Sequence, residues 1–330
     1  MKTYPVVAIL GVLVSICMIS CRKDYRSSEG MVWHTTYHIT YDGNRDLNDS
    51  IYAALAEVGA SLNVFDNNSV VSRANASDTT KVDEDFVRVY EMSRKINRET
   101  GGAFDPTLGP LIEAWGFGRG HTPTADTLRI DSLLRITGIG RTSLRGSLIV
   151  KEDIRIKFNF SAIAKGYGCD RVAEVLRRNG VKNYLVEIGG EIACAGISPS
   201  GGKWRISVDK PVATDTICHL SQCIISVTDA GIATSGNYRN FHQEGGHTFG
   251  HTISSTTGRP VQTDVVSATV IAASAMEADA LATSMMAMGS EKSRQLAVSR
   301  QLAVMLITAD NKVWESPQFG KLLNEEVSEP

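Results

Sequence analysis

No block of basic residues breaks this chain, and its 34 Lys and Arg against 36 Asp and Glu leave a formal net charge of -2. The concentrated positive surface that a nucleic-acid partner requires is missing, so no nucleic-acid partner is expected. Cysteine is sparse, six in 330 residues, and no two stand in a CxxC spacing, which argues against a zinc site. Internal repetition is missing as well: the near-duplicates Gln295-Leu296-Ala297-Val298 and Gln301-Leu302-Ala303-Val304 are six residues apart and fit no repeat architecture. Nor does a long linker divide the chain. With hydrophobic residues at 42% and charged residues at 21%, the composition is that of a globular protein, expected to form one composite α+β unit.

What the chain does have begins at its first residues. Lys2 supplies a positive start, Val6 to Ile19 is an apolar run too short for a comfortable membrane span, and Ser20 is a small residue directly before Cys21. The pattern resembles a bacterial lipoprotein signal, with residues 1–20 removed and lipid attached to the Cys21 thiol. An ordinary secretory signal cut nearby, or an uncleaved anchor, gives the same destination: the folded part is exported. The expected location is therefore the bacterial cell envelope, lipid-anchored to a membrane and facing the periplasm. Residues 21–30 are polar and small and read as a tether, leaving 31–330 as the folded domain. Cys169, Cys194, Cys218 and Cys223 lie in apolar surroundings and are expected as buried thiols.

Periodicity places the elements. Trp33 to Tyr41 alternates as a strand, and Leu47, Ile51, Leu55, Val58 and Leu62 fall at helical spacing. Asn63 to Asn75 reads as a loop, followed by a helix carrying Phe86, Val89, Tyr90, Ser93 and Ile96, with Thr100-Gly101-Gly102 as its stop. A short helix is expected near Asp131 to Ile136, then strands near Ser147 to Val150 and Ile154 to Phe160. Ser161 to Gly180 is the next helix, with Ser161 as its cap. Further strands are expected at Tyr184 to Ile188, Trp204 to Val208, Cys223 to Thr228, Ile232 to Gly236, Val265 to Ala272 and Leu302 to Thr308, with a helix from Ser290 to Arg300.

Four stretches carry chemistry. In the small-residue segment from Ala272 to Met288, Asp279 and Thr283 are four apart and share a helix face. They either form a local hydrogen bond on a solvated face or complete an oxygen-ligand site for Mg²⁺. Lys165 stands in the first turn of its helix, against the dipole, where it is either an exposed lysine or the partner of a bound phosphate. Six glycines and two prolines between Gly101 and Gly120 surround Phe104, Trp115 and Phe117. That stretch is either a packed loop or the wall of a binding cleft. His251, in a turn-rich segment, is a catalytic group or a hydrogen-bonded loop residue.

Taken in order, these stretches resemble the ApbE family of FAD:protein FMN transferases, from about Trp33 to Gly289. The resemblance is carried by Thr35-Thr36-Tyr37-His38-Ile39, by Gly101-Gly102-Ala103-Phe104-Asp105-Pro106-Thr107-Leu108-Gly109-Pro110 with Trp115-Gly116-Phe117-Gly118, and by Ala162-Ile163-Ala164-Lys165-Gly166-Tyr167-Gly168-Cys169-Asp170. It continues through Val186-Glu187-Ile188-Gly189-Gly190-Glu191, Ala233-Thr234-Ser235-Gly236-Asn237-Tyr238-Arg239-Asn240 and Met276 to Thr283. It implies a T-fold-like domain with mixed sheets packed by helices and an FAD cleft, in which Mg²⁺ sits at the pyrophosphate. The implied metal ligands are the Ala162 carbonyl, Asp279 and Thr283. The implied flavin and adenine contacts are Trp33, Phe65, Ala103, Phe104, Asp105, Asn159, Lys165 and Ile253, with Thr234, Ser235, Gly236 and His251 near the phosphates.

The chain departs from many relatives at Trp33-His34, where they carry Met-Gly, at Asn159, where they carry Asp, and at Ser254, where they carry Asp. Family roles that need a carboxylate at 159 or 254 are therefore not carried over. The resemblance implies transfer of FMN from FAD to a threonine hydroxyl of an exported acceptor, such as a subunit of a membrane redox complex, with release of AMP. Lys165 and Asp279 serve the phosphoryl chemistry in that reading, and His251 is the candidate base. With water as nucleophile the same residues make a Mg²⁺-dependent FAD pyrophosphatase, and without chemistry they make an FAD-storing lipoprotein.

Overall fold

The structure is a computed structural model that describes residues 24–117, 126–211, 220–236, 241–244, 247–250 and 252–323. In chain order it runs β1 (Tyr25–Val32), β2 (Thr35–Asp42), α1 (Asn48–Leu62), α2 (Val70–Ala76), β3 (Thr79–Lys81), α3 (Glu84–Glu99), α4 (Gly109–Ala114) and α5 (Thr127–Leu134). Then follow β4 (Thr142–Arg145), β5 (Leu148–Lys151), α6 (Ala164–Arg178), β6 (Tyr184–Ile188), β7 (Glu191–Ala195), β8 (Trp204–Asp209), β9 (Ser221–Val227), β10 (Ala230–Gly236), β11 (Phe241–Glu244) and β12 (His247–Gly250). The chain closes with β13 (Val265–Ala272), α7 (Ala275–Met288), α8 (Ser290–Ser299), β14 (Ala303–Thr308), β15 (Val313–Glu315) and α9 (Pro317–Gly320).

Eight strands form the main sheet in the order β1-β2-β6-β7-β10-β13-β14-β15. Neighbours in it pair antiparallel throughout, so the expected α+β class holds while its sheets are antiparallel rather than mixed. Successive side chains of a strand point to opposite faces, which gives this sheet two apolar surfaces. Ala193, Ala233 and Val270 face the helices, where α1, α6 and α7 bury Ile51, Leu55, Val172, Leu176, Leu281 and Met285. Their neighbours Ile192, Ile232 and Ile271 face the other way and are covered by Trp204, Ile206 and Ile225 of the β8–β9 ribbon and by Phe319 of α9.

The tether expected over 21–30 gives way at Tyr25. Residues Tyr25 to Val32 pair in unbroken register with Asp42 back to Thr35. Tyr25 packs edge-on against Trp204 at 6.3 Å between ring centroids and donates its hydroxyl to the Ile197 carbonyl. A polar sequence suits this position because β1 is an edge strand with one face in water. Trp33 and His34 stand outside the strands, in a two-residue turn with φ of 49° and 65°.

Three other expectations fail for local reasons. Within the supposed loop from Asn63 to Asn75, Ser69 accepts the Ser72 amide and starts α2, whose Val70, Val71 and Ala74 are buried. The supposed strand from Ile154 to Phe160 is irregular. The buried Lys151 ammonium donates to the carbonyls of Ile156 at 2.8 Å and Ile154 at 3.2 Å, while the Asn75 side-chain amide takes both backbone groups of Phe158. Carbonyls drawn inward to side chains are unavailable to a strand ladder. Ser161 caps nothing: α6 begins at Ala164, and its first residues follow a turn in which Ile163 and Ala164 donate to the Phe160 carbonyl.

Candidate active site

Helices α6 and α7 approach each other closely at their starts, and glycine makes the approach possible. A Cβ on Gly166 would lie 2.3 Å from the Ala275 carbonyl oxygen and 2.9 Å from Asp279 Cβ. On the sheet side, a Cβ on Gly231 would lie 2.1 Å from the Ala275 nitrogen. Asp279 is thereby brought onto the first turn of α6, where its Oδ2 accepts the Gly166 amide at 3.1 Å. In the other direction, Asp170 of α6 accepts the amides of Ala275 at 3.0 Å and Met276 at 2.9 Å. Each helix start is capped by an aspartate of the other helix.

This arrangement changes the reading of Asp279. Its face of α7 is not solvated: the residue is 3% exposed, and burial pushes its carboxyl above the ordinary value while Lys165 and the Gly166 amide oppose the shift. Thr283, one turn further, is half-buried and stands 3.2 Å from Ser235 Oγ at the end of β10. Thr234 pairs instead with Thr269 across the sheet, at 2.9 Å. Because Gly166 donates to Asp279, the Ala162 carbonyl one turn earlier accepts no backbone hydrogen bond among the described residues. A carboxylate, a hydroxyl and an unsatisfied carbonyl are the oxygen donors that suit a small hard cation. Among the described residues no three His, Cys, Asp or Glu side chains cluster to hold a metal by themselves, so a cation here must draw on these neutral oxygens as well. The residues fit Mg²⁺ on that chemistry.

Lys165 is not a free surface lysine. Its ammonium pairs with Glu191 Oε1, and burial, which would lower its pKa, is outweighed by Glu191 and Asp279, which hold it above the ordinary lysine range. Glu191 is 4% exposed, and its Oε2 is buried without a hydrogen-bond partner. Burial raises its carboxyl, Lys165 lowers it, and Asp279 raises it further. One fixed cation thus faces two buried carboxylates, an imbalance that a divalent ion can correct. Sequence reasoning missed Glu191, although it closes the Val186 to Glu191 motif. The signal was the Gly189-Gly190 turn, whose φ values of 59° and 97° start β7 at Glu191. A Cβ on Gly189 would stand 3.4 Å from Lys165 Cδ.

The other expected contacts divide. Phe65, 54% exposed, and Asn159 line one groove of about 350 Å³ together with Asn75, Ile112 and Lys157, which suits a flat ligand. Phe104 is a core side chain whose carbonyl accepts Asn97 Nδ2, with the half-buried Ala103 before it. Asp105 spends both oxygens on the protein: Oδ1 takes the Thr107 amide and hydroxyl, and Oδ2 takes the Ile139 amide at 3.0 Å. Burial raises its carboxyl against those bonds. Ile253 packs with Leu108, Leu111 and Ile130, and the adjoining Ser255 donates to the Gly102 carbonyl. The Trp33 ring is wedged between Gly59 of α1 and Gly168 of α6. Gly236 ends β10. His251 and Cys21 lie outside the described residues.

Known proteins share both the sequence and this fold. The model of the ApbE family matches residues 33–306. An FAD:protein FMN transferase from Vibrio cholerae is 36% identical over 312 residues, covering 90% of this chain and 92% of that protein. One from Haemophilus influenzae is 32% identical over 338 residues, covering 96% and 97%. Among solved structures, the flavin transferase ApbE from Vibrio cholerae superposes with a TM-score of 0.82 at 34% identity, over 91% of this chain and 100% of that one. The apo flavinyl transferase ApbE of Pseudomonas stutzeri gives 0.83 at 28% identity, over 92% and 98%. Matched along most of its length in sequence and in fold, the chain belongs to the ApbE family.

Proposed function

We infer that this protein transfers FMN from FAD to a hydroxyl of a protein acceptor. The observation that carries the reading is the Asp279 carboxylate held on the Gly166 amide at the start of α6, beside the paired Lys165 and one turn before Thr283, together with relatives named for this activity. When bound by these oxygens, Mg²⁺ would neutralise pyrophosphate charge and polarise the phosphorus. Lys165 stays charged at any physiological pH and supplies a second positive contact for a phosphate oxygen. Glu191 holds that ammonium from behind. The groove at Phe65 and Asn159 would take a flat ring of the dinucleotide.

In the proposed step a threonine oxygen of the acceptor bonds to the FMN-side phosphorus. The bond from that phosphorus to the bridging oxygen breaks, and AMP leaves with the bridging oxygen. The hydroxyl proton goes to a base, for which His251 is the candidate. The acceptor is proposed to be an exported redox subunit at the membrane. The leader from Lys2 to Cys21 supports placing the enzyme in the envelope on a lipid anchor. To test the activity, the purified protein is incubated with FAD, Mg²⁺ and an acceptor carrying a threonine motif. Flavin fluorescence on the acceptor band with stoichiometric AMP is the expected result. Free FMN and AMP without labelled acceptor would replace transfer by hydrolysis, and unchanged FAD would remove the enzymatic reading. His251→Ala with near-normal transfer at saturating FAD would remove that residue as the base.

A further inference from the structure

Asp170 touches none of the proposed cation ligands, yet it holds the helix that carries two of them. The first amides of a helix lack partners within it, and at the start of α7 Gly166 and Gly231 bring backbone against Ala275 from two sides. Ser274 Oγ takes the Glu277 amide at 3.2 Å. The two amides before it go to the two oxygens of one carboxylate, Asp170. Gly166 and Asp170 are four apart on α6, and Ala275 and Asp279 are four apart on α7, so each pair shares one helix face. Two hydrogen bonds connect these four positions into a closed frame with Asp279 at one corner, and a third joins Asp170 to Met276 beside it.

We propose that Asp170 is a positioning residue for the cation site: by gripping the Ala275 and Met276 amides it sets the axial position of α7, and with it Asp279 and Thr283 relative to Ala162. Asp279 lies three residues beyond Met276, a rise of about 4.5 Å along a rigid helix, so a slip at the cap moves the carboxylate by the same amount. Ligand distances in a cation site tolerate only a few tenths of an ångström. Outer residues that orient metal ligands typically change affinity by about 10- to 100-fold when replaced. Asp170 is such a residue acting through the backbone.

The proposal rests on the cation reading above, and the test separates the two. Mn²⁺, which shares the oxygen preference of Mg²⁺, is titrated into the purified protein and followed by electron paramagnetic resonance, with circular dichroism and thermal unfolding run alongside. The wild type binds, and Asp279→Asn loses binding. Asp170→Asn, which keeps one acceptor oxygen and loses the other, weakens Mn²⁺ by about tenfold or more. Asp83→Asn alters the cap of α3, where its carboxylate meets Ser61 and the Phe86 amide and none of the cation ligands, and is expected to lower the melting temperature while leaving Mn²⁺ affinity unchanged. If Asp170→Asn does not fold, Asp170→Glu carries the test, since it keeps the charge but displaces it by one methylene. A folded Asp170 variant with wild-type affinity, while Asp279→Asn binds nothing, overturns the positioning role. Wild-type affinity in Asp279→Asn overturns the cation reading itself, and this proposal falls with it.

Discussion

Lys165 and Glu191 form an ion pair whose two ends differ in exposure: the lysine side chain is 36% exposed and the glutamate side chain 5%. The ammonium can turn to water if its partner is removed, but the carboxylate cannot. Removing one member of a buried pair costs about 3–5 kcal/mol when the other is left stranded. Lys165→Ala is therefore expected near that range, and Glu191→Gln at about 1–2 kcal/mol, below it for want of a stranded charge. Urea unfolding of both variants checks the order, and equal costs would contradict the asymmetry.

Asp279→Ala is expected to lower Mg²⁺-dependent turnover by about a hundredfold or more, since the proposed cation site loses its one charged ligand. Steady-state rates across a Mg²⁺ series measure this. Activity and Mg²⁺ dependence at wild-type levels would sink the assignment.

Asp170 supplies the pH dependence. Burial pushes its carboxyl up to about 6, against the opposing amides of Met276 and Ala275, from about 3.9 in an unfolded chain. The folded state then holds more protons between those values. The group's contribution is fully present below about pH 4 and is lost as pH rises through about 6. Asp170→Asn has no such titration, so the melting-temperature gap between wild type and variant should narrow from about pH 4.5 to about pH 7.5. A gap that widens with pH would mean that the amides, not burial, dominate.

Trp33 and Gly168 are coupled by shape. A Cβ on Gly168 would stand 2.6 Å from Trp33 Cη2, so Gly168→Ala is expected to destabilise by about 1–3 kcal/mol through overpacking. In a Trp33→Leu background the added methyl finds room, and the cost should fall by at least about half. Denaturant curves for the four proteins of the cycle give the coupling, and strict additivity would show that the ring moves aside freely.

How much of this was legible beforehand depended on whether a residue's partner was near in sequence. The helices bearing Ile51, Leu55, Val58 and Leu62, and Phe86, Val89, Tyr90 and Ile96, declared themselves by period, and all eight side chains are buried. The Asp279 and Thr283 pair was visible for the same reason. Its burial was not, because that comes from Gly166 and Gly231, which lie 113 and 48 residues before Asp279. The polar strand Tyr25–Val32 was hidden because an edge strand needs no apolar alternation. Glu191 and Asp170 stood inside recognised motifs, but nothing local says that one backs a lysine and the other caps a distant helix. Asn75 and Lys151 satisfied the backbone of 154–158 from afar, and so disguised a braced loop as a strand.

The frame of Gly166, Asp170, Ala275 and Asp279 also orders events in time. Half of it is synthesised more than a hundred residues before the other half, and until Ala275 to Met288 arrive, the start of α6 and the Asp170 carboxylate have no partners there. Contacts so distant in sequence form late and slowly. A chain emerging in its vectorial order would thus pass through a state with most of its sheet strands made and no cation site at all, and a stop codon before Ala275 would leave the nascent protein unable to leave that state.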